Sequence, residues 1–456
     1  MRDLFFVAFI LALLALACRR PFLFVLAYAY VDTVSPQRLS YYLLSGGNLV
    51  MYVAIAAMGS WFLFDSKKGM RIAGRQWAMI ALLLYAGYTT LNAHFPETAW
   101  DKWDWASKAL IFAIFIPFTL RTKLRVEAYI LFMTLSAAAI AIVGGIKTLL
   151  SGGGYGALNL MVDSNSGLYE SSTIACIAIA LIPLVLWLAR HGTIFPPDWR
   201  AKVFAAGLVF ACLLIPVGTE ARTGLICIGV LAILTLRDVK RRLLYMSMVA
   251  LVGVAAVPML PSTFTERMGT IKGYEADSSA TTRLAVWGWT WTYVQEHPMG
   301  GGFDAYRLNR IQVAATTEQG SGNVRTIDTR THADEGRAWH SAYFEMLGEQ
   351  GFPGLFLFLV IHLGGLVRME IIRRRYRREE GDKAWIAPLA TALQHFQIVY
   401  LVGASFIAIA FQPFVLMIVG VQIGFDLLVS RRERDVRPRR SWAAPPSLPA
   451  AKAAGA

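Results

Sequence analysis

Long apolar runs recur along this chain, and short basic clusters separate them. The runs lie near residues 4–18, 21–34, 45–64, 76–95, 105–120, 127–150, 171–189, 201–217, 223–236, 243–260, 343–367, 386–409 and 412–430. Most approach the ~20 apolar residues that an α-helix needs to cross a bilayer. Hydrocarbon offers the backbone no hydrogen-bond partners, so such segments must satisfy their own N–H and C=O groups as helices. Composition agrees. The 456 residues are 56% hydrophobic and only 16% charged, too little charge to cover a water-soluble globule. The expected fold class is an all-α polytopic membrane protein. The first two runs are shorter than a full span, which sets the expectation at about 12 or 13 transmembrane helices. The opening stretch MRDLFFVAFILALLALACRRPF has a weak basic start and no A-x-A-like cleavage site, so it reads as a retained anchor.

A formal charge of +14 raises the question of nucleic acid. The distribution of the basic residues answers it. They fall at Arg19 and Arg20; at Lys67, Lys68, Arg71 and Arg75; at Arg121, Lys123 and Arg125; and at Arg190, Arg200 and Lys202. Further clusters are Arg237, Lys240, Arg241 and Arg242, the run 373–378, and the tail RRERDVRPRR. These clusters occupy every second loop, which is the positive-inside signature of topology and not a DNA-binding patch. One orientation places all of them in the cytoplasm. The loops at 96–104, 151–170, 218–222 and 261–340 then face the periplasm. Cys18, Cys176, Cys212 and Cys227 lie in or beside apolar runs without CxxC spacing, so neither a disulfide framework nor a metal site is indicated.

Four regions follow. Residues 1–260 form the N-terminal part of a transmembrane bundle, 261–340 a large periplasmic loop, 341–430 the C-terminal transmembrane helices, and 431–456 a disordered basic cytoplasmic tail. The loop is long enough to be functional. Its early part, TTRLAVWGWTWTYVQEHPMGGGFDAY (281–306), has a helical period with Leu284, Trp287, Trp291 and Val294 on one face, a set suited to a membrane interface. Its later part, 315–338, is poor in apolar residues and reads as a mobile flap.

Three places on the outer side combine polar groups with helix ends. In VGTEARTGL, Glu220 and Arg222 interrupt an apolar hairpin, and a charge between membrane helices is by default a functional candidate. Arg222 could equally snorkel from a short loop. Arg283 opens the aromatic helix; its planar fork suits phosphate, and a surface arginine paired with Asp277 or a lipid headgroup is the alternative. In WHSAYFEMLGEQGFPGLFLFLV (339–360), His340 stands before a helical pattern. A first-turn position favours a neutral imidazole able to accept a hydroxyl proton. Glu345 and Glu349, four residues apart on one face, would orient it or neighbouring arginines. A helix-capping interfacial histidine is the plainer reading. There is no P-loop, GxSxG or HExxH and no metal-spaced cluster of carboxylates and histidines, so no nucleotide, metal or other cofactor is expected. His362 and His395 fall inside expected spans and suit packing or hydrogen bonding. SGGGYG (151–156) follows a helix, not a strand, and reads as a turn.

With these residues in order, the chain resembles the O-antigen ligase superfamily, which includes lipopolysaccharide O-antigen ligases, O-antigen polymerases and protein O-oligosaccharyltransferases. The resemblance rests on GTEARTGL, on TTRLAVWGWTW followed by HPMGGGF, and on HSAYFEMLGEQGFPGL. The start of the chain, MRDLFF, RRPF and SPQRLSYY, further resembles a subgroup labelled putative O-glycosylation ligase, associated with exosortase systems. Ser341 departs from the asparagine many members carry. The resemblance implies a GT-C-like, inverting, metal-independent glycosyltransferase. The donor would be a glycan on undecaprenyl diphosphate and the acceptor a sugar hydroxyl of lipid A–core, both borne by membrane lipids. In those roles Arg222 and Arg283 would bind the diphosphate and His340 would act on the acceptor, with Glu220, Glu345, Glu349 and Ser341 in support. A polymerase or a protein O-oligosaccharyltransferase would use the same donor. A transporter of lipid-linked glycan would call for charges deep in the spans and internal repeats, which are not evident.

Overall fold

The computed structural model describes residues 2–151, 168–237, 278–319 and 326–436. The glycine-rich turn after 151, the apolar run at 243–260, the start of the large loop and the tail beyond 436 lie outside the described residues. The N-terminal part comprises α1 (Arg2–Arg19), α2 (Phe22–Val34), α3 (Pro36–Leu39), α4 (Leu49–Phe64), α5 (Gly74–Leu91), α6 (Pro96–Thr119), α7 (Lys123–Ser151), α8 (Ser171–His191), α9 (Trp199–Gly218) and α10 (Arg222–Leu236). After α11 (Ser278–Glu296) come strands β1 (Arg310–Gln319) and β2 (Thr326–Glu335), then α12 (Ala342–Tyr376), α13 (Ile386–Gly403) and α14 (Pro413–Val436).

Among the described residues, six helices, α7, α8, α9, α12, α13 with its preceding turn, and α14, are long and apolar enough to cross a membrane; α2, α4 and α10 are shorter and apolar. The protein is an all-α membrane protein, with one small sheet among the described residues. Local signals explain several boundaries. Glu170 caps α8 by accepting from Ser172 N (3.1 Å) and Thr173 N (2.6 Å), and Asp198 caps α9 by accepting from Ala201 N (2.7 Å). Helix α6 begins with Pro96, whose missing N–H costs nothing in a first turn.

Helices α8, α13 and α14 are buried along most of their length and form the centre of the bundle. The centre is not wholly apolar. Arg75 Nη1 donates to Gln422 Oε1 (2.9 Å), Gln422 Nε2 donates to Gln397 Oε1 (3.0 Å), and Gln397 in turn donates to His362 Nδ1. His362 is thus a hydrogen-bonded core residue, in line with its sequence context. The basic clusters are braced by carboxylates: Asp65 takes both arms of Arg125 (2.6 and 2.8 Å), and Glu370 takes Arg237, Arg373 and Arg374.

Helices α8 and α10 run parallel. A Cβ on Gly224 would sit 3.1 Å from Ala175 Cβ, and Cys176 and Cys227 both point at the Val399 carbonyl. This register brings Arg222 level with the first turn of α8.

Helix α11 docks on the head of α12. Trp287 stacks on Phe344 (4.9 Å between centroids), Trp291 meets Phe352 edge-on (6.1 Å), and Val294 is buried with Tyr293 and Leu347. Of the face expected at a membrane interface, Trp287 and Val294 pack on protein, while Leu284 and Trp291 stay exposed. The stretch expected to be a flap is a hairpin in its described residues: β1 and β2 pair antiparallel from Arg310 opposite Glu335 to Gln319 opposite Thr326. Helix α14 continues past residue 430, into the tail expected to be disordered, and ends at Val436.

Candidate active site

Residues on both sides of His340 are pinned. Trp339 is 1% exposed; its indole Nε1 donates to Thr290 Oγ1 (2.8 Å), and its carbonyl accepts from Trp287 Nε1 (2.8 Å). On the other side Ala342 N donates to the Ala404 carbonyl (2.8 Å). Between these anchors His340 adopts φ +47°, a left-handed conformation that a side-chain-bearing residue rarely takes. Such strain persists only where the surroundings fix it, and it concentrates at functional sites. Glu220 (φ 51°) shares the feature.

The sequence reading puts His340 in the first helical turn. The structure puts it one residue before the Ser341 N-cap, outside the first turn. Protein packed against one side of the ring disfavours the protonated form, and the Arg283 charge pushes the same way. Glu170 opposes them and Arg337 adds a smaller push downward, leaving the pKa below its ordinary 6.5. The outer face of His340 is open to solvent. An accessible neutral imidazole beside an arginine can take a proton from a hydroxyl while an anion sits on the arginine.

Beside this histidine lies a cleft of about 620 Å³, lined by Arg38, Lys102, Tyr306, Trp339, Glu345 and Glu349 among others. Glu345 and Glu349 do not reach His340 or the arginines. Lys102 Nζ holds Oε1 of each at 2.7 Å. Glu345 Oε2 also accepts from Ala410 N (2.9 Å), and Glu349 Oε1 from Asp304 N (3.0 Å). Glu349 Oε2 is buried without a hydrogen-bond partner, an acceptor on the cleft wall. Ser341 is 2% exposed and caps nothing with its hydroxyl; its carbonyl takes the Glu345 N–H (2.8 Å).

The glycines of HPMGGGF and GEQGF interlock. Gly301 N and Gly302 N donate to the carbonyls of Gly348 and Glu349, and Phe352 N donates to that of Pro298. Gly351 has φ +63°, and a Cβ there would lie 2.2 Å from Pro298 O, so only glycine fits. This joint bends α12 and sets Glu349 against the loop.

Of the expected diphosphate-binding pair, Arg283 acts on His340. Arg222, half-buried, starts α10 level with the first turn of α8, whose cap is Glu170. No hydrogen bond or ion pair among the described residues joins Arg222 to His340 or Arg283. Sequence reading missed Lys102, Glu170, Arg38 and Arg337. A signal existed for two of them: Lys102 sits in the aromatic WDKWDW near the start of α6, and Glu170 precedes SST as a capping residue does.

Residues 205–359 match the family model described as O-Antigen ligase. The match supports the O-antigen ligase superfamily for this segment. The O-antigen ligase segment contains Arg222, Arg283 and His340 as well as Glu345 and Glu349. Residues 1–193 match a second model, described as a family of unknown function (DUF5935). That N-terminal segment supplies Arg38 and Lys102 to the cleft and Glu170 to the surroundings of His340, so the cleft is built from both matched regions. No curated protein matches the chain.

Proposed function

We propose that this protein is an inverting, metal-independent glycosyltransferase of the O-antigen ligase type. It moves a glycan from undecaprenyl diphosphate to a sugar hydroxyl of lipid A–core at the periplasmic face of the bacterial inner membrane. The observation that carries this reading is His340: strained, pinned, kept neutral beside Arg283, and open to solvent at the head of a membrane helix. In the reaction the acceptor oxygen attacks the anomeric carbon as the bond to the diphosphate oxygen breaks. His340 receives the hydroxyl proton and returns it to water, and Arg283 and Arg222 balance the charge that grows on the departing diphosphate. The arginines take the place a divalent cation fills elsewhere, and transfer should persist in EDTA.

The acceptor separates this reading from its neighbours, an O-antigen polymerase or a protein O-oligosaccharyltransferase. Purified protein given lipid-linked donor together with rough lipopolysaccharide and a pilin acceptor should modify the lipopolysaccharide. Modification of the pilin alone would reassign the acceptor, and lengthening of the lipid-linked glycan would mark a polymerase.

A further inference from the structure

At the end of the bundle away from His340, α8, α10, α12 and α13 enclose a pocket of about 500 Å³. Ile182, Pro183 and Leu186 of α8 and Leu231 of α10 give it an apolar wall. The indole of Trp187 also lines it, fixed by an Nε1–H bond to the Trp385 carbonyl (3.2 Å). Arg190 and Arg377 line the same pocket and are both exposed. Arg373 lines it too, but its fork is taken by Glu370 at 2.9 Å. Arg190 and Arg377 have no ion-pair partner among the described residues. Glu379, the one carboxylate on the lining, lies 3.4 Å from Lys383.

A site with an apolar wall and two uncompensated guanidinium groups suits a molecule that is anionic at one end and apolar at the other. The paired N–H donors of arginine match phosphate oxygens. A free inorganic anion would gain nothing from the apolar wall, and a neutral lipid nothing from the arginines. These residues belong to basic clusters that the positive-inside rule assigns to the cytoplasm, where the leaflet is rich in anionic lipid. We propose that this pocket binds an anionic glycerophospholipid, its phosphate received by Arg190 and Arg377 and an acyl chain lying along Ile182, Pro183 and Leu231. The site is independent of the glycosyl-transfer reading.

The full chain, purified in detergent, is titrated with dioleoylphosphatidylglycerol, dioleoylphosphatidylcholine or inorganic phosphate. Bound lipid is read by native mass spectrometry and stabilisation by thermal melting. Phosphatidylglycerol should bind and raise the melting temperature; the other two should do neither at the same concentration. The double variant Arg190→Gln/Arg377→Gln should bind phosphatidylglycerol roughly tenfold or more weakly, since each cation at a lipid surface contributes about fivefold. Glu379→Gln, an exposed change that removes an opposing charge, should tighten binding several-fold, and it keeps the test decisive if the double variant does not fold. Equal binding of phosphatidylcholine, equal stabilisation by phosphate alone, undiminished affinity in the folded double variant, or no gain in Glu379→Gln would each overturn the proposal.

Discussion

Lys102 Nζ lies 2.7 Å from Glu349 Oε1, across a gap of more than two hundred residues in the chain, and the same ammonium holds Glu345 at the same distance. This bridge ties the N-terminal part of α6 to the head of α12, the helix that follows His340. Both carboxylates are buried, and their remaining donors come from the backbone of Asp304 and Ala410.

Removing the lysine leaves two buried carboxylates facing each other. Lys102→Ala should lower stability by about 3–5 kcal/mol, the usual cost of breaking a buried pair from one side. Thermal melting in detergent measures it. The triple variant Lys102→Ala/Glu345→Gln/Glu349→Gln should recover much of the loss, and no recovery would mean that packing, not charge, dominates.

The glycine joint makes a sharper demand. Gly351→Ala forces a Cβ onto the Pro298 carbonyl at a left-handed position, so it should cost more than about 1 kcal/mol and reduce folded yield. Size-exclusion recovery against wild type reads this, with Gly59→Ala as a control at a position where a Cβ meets nothing within 4 Å.

Trp339 should matter through position. Trp339→Ala removes a buried ring and its bond to Thr290, leaving the main-chain carbonyl that Trp287 holds, and should cost about 3–5 kcal/mol. Trp339→Phe keeps most of the volume but loses the bond to Thr290. Its turnover should fall further than its melting temperature, because the histidine is freed while the core stays filled; an unchanged turnover would show that Trp339 is packing alone.

The pH profile carries the electrostatics. His340 is more acidic as an imidazolium than an ordinary histidine, so it stays neutral to lower pH and the acid limb of the rate profile should lie below pH 6.5. Arg283→Gln removes a charge that lowers the pKa, and the limb should move to higher pH. Glu170→Gln removes one that raises it, and the limb should move to lower pH. Rates measured across the acidic range in both variants check the two signs together.

Much of this was legible in the sequence. Apolar runs marked helices because a bilayer permits little else, and His340 and Arg283 stood out at loop–helix borders. What the sequence hid was long-range pairing. Nothing local in EMLGEQG says that Glu345 and Glu349 will meet Lys102 rather than a histidine or an arginine nearby, because the partner is chosen by how α6 and α12 come together. The hairpin over residues 310–335 was hidden differently: strand pairing is made by the backbone, so polar side chains conceal it. His340 is displaced from its expected first-turn position because the chain turns left-handed there, between the anchors at Trp339 and Ala342.

The central claim is that His340 takes part in transfer of a lipid-linked glycan, and transfer to rough lipopolysaccharide by purified wild-type and His340→Ala protein tests it most directly. His340→Ala should remain folded, with a melting temperature near wild type, and lose transfer by about a hundredfold or more. Transfer at the wild-type rate by a folded His340→Ala protein would contradict the assignment.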